Sequence, residues 1–187
     1  MKKLGHILIL GLSLTVIFSS CQKKQKKEED TDKQSASESS LATSINNDMN
    51  NIADEAGRNK NVSSFKTSEA SAVLSSCATL HFDTLVSSNA DSITINFGNN
   101  NCLCGDGRYR RGTLLVVYTG KYRDSLTTIN VTPLNYFVND NKVSGNKTVK
   151  NLGHNAQGHL VYDISANLQI VKADNSGTIQ WTGTRQR

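Results

Sequence analysis

The spacing of hydrophobic positions changes three times along the chain. Gly5 to Phe18 form an apolar run behind Lys2 and Lys3, interrupted only by His6 and small or weakly polar residues. A bilayer-spanning helix needs about 20 apolar residues, so this run predicts a secretory signal peptide over residues 1–20. From Gln22 to about Ser40 the chain holds almost no large apolar residue, which predicts a disordered, charged tether over residues 21–40. From Leu41 the apolar positions Leu41, Ile45, Met49, Ile52 and Ala56 recur at spacings of three and four, one face of a helix. Gly57 reads as its stop. The stripe is narrow and predicts docking on a larger domain. A Ser-rich loop over Asn59–Ser76 completes the segment 41–76.

From Cys77 the spacing becomes two. Leu80 and Phe82 share one face of a strand, as do Ile93, Ile95 and Phe97. "GTLLVVYTGKY" is apolar on both faces at its centre and predicts a central strand. "TTINVTPLNYFV" alternates through Ile129 and Val131 until Pro133, which signals an edge, a bulge or a break. Three further segments follow, and turn residues at 99–101, 105–107, 139–141, 153–158 and 174–177 separate the runs. These are about seven strands with short connections, an antiparallel meander over residues 77–187. The fold class is therefore all-β, a sandwich or a curled sheet, with one short helix in front that covers part of it.

Chemistry alters this picture first at the N-terminus. Ser19 and Ser20 are small residues before Cys21, and the junction resembles the lipobox of bacterial lipoproteins. That resemblance implies cleavage before Cys21, acylation of Cys21 by diacylglycerol and a fatty acid such as palmitate, and a membrane anchor made of lipid. The expected address is the bacterial cell envelope, at the outer membrane or the cell surface. The block "KKQKKEED" is read as a solvated spacer or, more sharply, as the Lys-then-acidic surface signal of some Gram-negative lipoproteins.

Removing Cys21 leaves Cys77, Cys102 and Cys104. The compartment permits disulfides. Cys102 and Cys104 are too close in sequence to suit one another, so Cys77 is expected to bridge to one of them, Cys102 being preferred. A zinc site from these three and His81 would use Cys-x-Cys, which is not usual zinc-finger spacing, and no metal or cofactor is expected. The unpaired cysteine is a candidate free thiol.

The segments "CLCGDGRYRRGTLLVVYTGKYRD", "NYFVNDNKVSGNKTVKNLGHNAQG" and "GTIQWTGTR" resemble a family of uncharacterised secreted lipoproteins of Bacteroidota-type bacteria. Its DGR-x-R-x-G, Y-T-G-x-Y-R-D, Y-x-V-N-x-x-x-V-x-G and W-x-x-T-R patterns fall on Asp106–Gly112, Tyr118–Asp124, Tyr136–Gly145 and Trp181–Arg185. The resemblance covers most of residues 77–187. It implies an all-β domain with an envelope address, and no activity.

The charge balance is positive, 21 Lys and Arg against 16 Asp and Glu. In the β domain it is 11 against seven. Arg108 and Arg110 share one side of an extended chain, as do Arg185 and Arg187, and form a candidate face for anionic ligands such as glycans or lipopolysaccharide phosphates. Their alternative is a solvated strand face. Aromatic residues are only 6 %, too few to interleave with this charge, and nucleic acid is not expected. Asp106 in "CGDGR" reads as a turn residue or, as an outside alternative, a calcium ligand. Thr84, Ser92 and Ser125 follow Asp and precede an aliphatic residue, as in the O-glycosylation sites of similar bacteria. No nucleophile elbow or zincin motif is present, so no catalytic residue is assigned. The expected function is a lipid-anchored binding or structural module, for a glycan or an envelope protein. The alternatives are an envelope hydrolase using His154 or His159, and an accessory subunit of an envelope assembly or transport system.

Overall fold

The computed structural model describes residues 25–59, 74, 78–84, 91–120 and 124–187, with side chains from residue 33 onward except at 59 and 84. Cys21 and Cys77 lie outside the described residues. The chain divides into two units between Ser35 and Ala36. Of the first, helical backbone from Gln25 and the exposed side chains of residues 33–35 are described.

The second unit is mostly β-sheet. Helix α1 (Gln25–Asn59) precedes eight strands: β1 (Thr79–Thr84), β2 (Asp91–Asn96), β3 (Cys102–Leu103), β4 (Tyr109–Tyr118), β5 (Thr128–Val138), β6 (Asn141–His154), β7 (Leu160–Val171) and β8 (Thr178–Gln186). They form one antiparallel sheet in the order β1-β2-β4-β5-β6-β7-β8, with β3 on β4 beyond the end of β2. The sheet is an open meander, and the part of α1 that belongs to this unit takes the place a second sheet would have in a sandwich. Alternation along each strand decides which side faces the core. Ile93 and Ile95, then Leu114, Val116 and Tyr118, then Ile164, Ala166, Leu168 and Ile170 are all buried. Ala42, Ile45, Met49, Ile52, Ala53 and Ala56 of α1 join them in one apolar cluster. Each large aliphatic side chain so buried contributes about 1.5–3 kcal/mol.

The helix differs from its expected extent. It begins at Gln25, so helical backbone reaches into the charged stretch, and it passes Gly57 to end at Asn59. The residues between Gln25 and Ser40 are mainly Lys, Glu, Gln, Ser and Ala, several of them strong helix formers, but no apolar stripe marks them.

Bulges bend the sheet. Pro133 lies in a central strand, paired with Leu114 on one side and inside the register shift between Val131 and Tyr136 on the other. Its missing N–H is thus placed where the ladder is already broken. At the neighbouring bulge Gly112 has φ +85°, and a Cβ there would lie 1.9 Å from the Asn135 carbonyl oxygen. Gly145 repeats the arrangement, with a Cβ position 2.1 Å from the Asn167 carbonyl oxygen. Only glycine permits these close backbone approaches.

Candidate functional site

Two buried polar posts hold α1 on the sheet, and a third, half-buried one is the ion pair of Glu38 with Lys172 just after β7, 2.8 Å long. At the first, Arg110 of β4 is completely buried. Its Nη2 donates to Asp48 Oδ1 at 2.5 Å and to Asp106 Oδ2 at 2.6 Å, and its Nη1 donates to Asp106 Oδ1 at 2.7 Å. Arg108 adds a bond from Nη2 to Ser44 Oγ at 2.9 Å and lies 3.5 Å from Asp48. Burial opposes the charge of Arg110, but the hydrogen bonds to Asp106 and Asp48 outweigh it and hold the guanidinium pKa above its ordinary value. Asp106 is likewise subject to burial, outweighed by Arg110, and its carboxyl is lowered.

At the second post Lys147 of β6 is also completely buried. Its Nζ donates to the Asn46 carbonyl oxygen at 2.9 Å and to Asn46 Oδ1 at 3.1 Å. No carboxylate among the described residues pairs with it. Burial, and next the charge of Arg185, push its pKa down to about 8.

Beside the second post a cleft of about 330 Å³ opens between the C-terminal half of α1 and strands β5–β7. Its floor is Ile129, Val131, Val149, Leu160, Tyr162 and Ile164. Asn50, Ala53, Asp54 and Arg58 from the helix and Arg187 from the chain beyond β8 form the rim. Arg58 is ion-paired with Asp54 one turn earlier. Arg187 is set by paired backbone hydrogen bonds with Tyr162, 2.9 and 3.0 Å long. An apolar floor with a few charged groups at the mouth is the form of a small-molecule site.

This geometry corrects the expected anionic face. Arg110 is not on a surface, and both it and Arg108 are committed to Asp48 and Asp106, because the even-numbered positions of β4 face the core. Asp106 is spent on Arg110 and is not an isolated calcium ligand. Arg185 and Arg187 are exposed. Arg185 pairs with Ile164 across the ladder, so it shares the face of the cleft.

The other sequence candidates are dispersed. His81 is exposed on β1. His154 and His159 are exposed on either side of the β6–β7 turn, and His154 pairs with Leu160 of the cleft floor. Ser125 is exposed in the β4–β5 turn, Ser92 is half-buried on β2, and the Thr84 side chain lies outside the described residues. Cys104 is a buried free thiol. No group of three or more metal-ligating side chains is found among the described residues. Asp48, Asn46, Lys147 and Arg58 were not marked by the sequence reading. Parity could have found Lys147, which falls in step with Val143 and Val149, as Arg110 does with Leu114 and Val116. No known protein family, curated protein or solved structure matches the chain.

Proposed function

We propose that the protein is a lipid-anchored envelope protein whose β domain holds a small ligand in the cleft between α1 and β5–β7. The observation that carries the binding reading is the cleft itself, with its apolar floor and charged rim. The anchor reading rests on Cys21 directly after the apolar run and two serines. Outer-membrane or surface placement, and kinship with the Bacteroidota-type lipoproteins, extend that reading. Among the described residues no helix is long and apolar enough to cross a membrane.

The same reading takes Cys77 as the disulfide partner of Cys102. Its support is that Cys104 is a buried free thiol, which leaves Cys102 as the candidate for Cys77. Ser125 is the best placed of the three O-glycosylation candidates, being exposed in a turn.

One experiment addresses each half. Metabolic labelling with a palmitate analogue should mark the unsubstituted protein in the membrane fraction and leave Cys21→Ala unlabelled; equal labelling of both would overturn the anchor. For binding, the full chain carrying Cys21→Ser is screened by thermal shift against glycans, lipids and peptides. A hit should vanish in Leu160→Trp, which fills the mouth of the cleft. Hits indifferent to that substitution would overturn the cleft as the site.

A second reading, hydrolysis, is favoured by one contact: His154 stands directly across the ladder from Leu160. It requires that His154→Ala abolish turnover of any cleft ligand, and unchanged turnover would remove it.

A further inference from the structure

We propose that the cleft selects a compact amphipathic anion, with a single carboxylate at the rim and an unbranched apolar body on the floor. This rests on the reading of the cleft as a binding site and adds the class of its ligand.

Size sets the first limit. At about 330 Å³ the cleft lies near the lower end of ligand pockets, which begin at about 300 Å³. It suits one short chain. The floor sets the second. Five of its six residues are aliphatic, and they come from three adjacent strands, β5, β6 and β7. Such a surface rewards removal of apolar area from water and offers few groups to orient a sugar.

Charge decides the head group. Arg58 and Arg187 stand at the rim. Arg185 is directly opposite Ile164 of the floor and adds its charge from the same face. Among the described residues the lining holds two cationic side chains, Arg58 and Arg187, and one acidic side chain, Asp54, which is engaged with Arg58. Arg185 and Arg187 have no salt bridge among the described residues. An anion entering the mouth lowers this mutual repulsion, and a cation raises it. A neutral chain of the same length gains only the floor. Asp54 turns one part of the rim against a highly charged head, which favours one carboxylate over a polyphosphate.

The test uses the full chain with Cys21→Ser and three probes of equal chain length, decanoate, decanol and decyltrimethylammonium, the two ions below their micelle concentrations and decanol below its solubility limit. Calorimetric titration should find decanoate bound about tenfold more tightly than decanol, with the cation weakest. The double variant Arg58→Gln/Arg187→Gln should bring decanoate to the level of decanol. Leu160→Asp should weaken both, and both variants are at exposed positions that leave the fold intact by circular dichroism. Equal binding of decanoate and decanol to the parent chain would overturn the inference, as would a preference that survives the double arginine substitution. If no decyl probe binds while another compound binds in a Leu160-dependent way, the anion inference falls and the binding reading stands. If nothing binds the cleft, both fall.

Discussion

Arg110 and Asp48 meet at 2.5 Å across 62 residues of sequence, one from the middle of the sheet and one from α1, with side chains 0 % and 4 % exposed. A buried pair of this kind is a weak source of net stability but a strong lock, since either partner alone is a stranded charge. Asp48→Asn is expected to lower unfolding free energy by about 3–5 kcal/mol, and Arg110→Met by a similar amount. The double variant Asp48→Asn/Arg110→Met should cost clearly less than the sum. Urea unfolding of the four proteins measures the coupling, and simple additivity would show that the two groups act independently.

The second post should respond to pH. Lys147 has its pKa lowered to about 8 in the folded protein, below the ordinary lysine value of 10.5. Below pH 8 both states hold the proton and this group contributes no pH dependence. Between pH 8 and 10.5 the unfolded chain holds more protons than the folded one, so stability rises with pH by up to about 3 kcal/mol. Lys147→Met lacks this titration, so the urea midpoint of the parent minus that of Lys147→Met ought to rise from pH 7 to pH 10.5. A constant difference would refute the lowered pKa.

Backbone approach makes a sharper demand. Gly112→Ala places a methyl group 1.9 Å from the Asn135 carbonyl oxygen in a left-handed conformation. The cost should exceed that of Gly158→Ala, which has φ +79° but open space around it. Left-handed strain alone is about 1–2 kcal/mol, so Gly158→Ala should stay near that value and Gly112→Ala should surpass it by at least as much again. Thermal melts of the two variants compare them directly.

Tyr136 offers a substitution with little expected loss. Its ring lies 5.9 Å from that of Phe97, and its hydroxyl is buried with no hydrogen-bond partner among the described residues. Burial holds its pKa above the ordinary value. Tyr136→Phe keeps the ring and removes the unsatisfied group, so stability should be unchanged or higher by about 1 kcal/mol. A loss of several kcal/mol would reveal a bonded hydroxyl.

The strands were legible because burial on one face writes a period of two into residues such as Ile93, Ile95, Leu114 and Val116. Pro133 likewise signalled an edge, a bulge or a break, and it stands at a bulge. The helical face of Ile45, Met49 and Ile52 was legible for the same reason. The stretch before Leu41 was not, since a helix without an apolar face looks like any charged segment. The posts were hidden by residue type. Arginine and lysine on a strand read as surface unless their partners are known, and Asp48 and Asn46 sit 62 and 101 residues away. The cleft is assembled from α1, β5, β6, β7 and Arg187, a juxtaposition that no local pattern records.

The posts also impose an order on synthesis. Asn46 leaves the ribosome 101 residues ahead of Lys147, and Glu38 leaves 134 residues ahead of its partner Lys172. The apolar stripe of α1 must therefore wait, uncovered, until β4, β6 and β7 have been made. Contacts so distant in sequence slow folding and lengthen the interval in which sticky surface is exposed. In a chain built this way the segment made first among the described elements, α1, is the one whose sticky face stays uncovered longest.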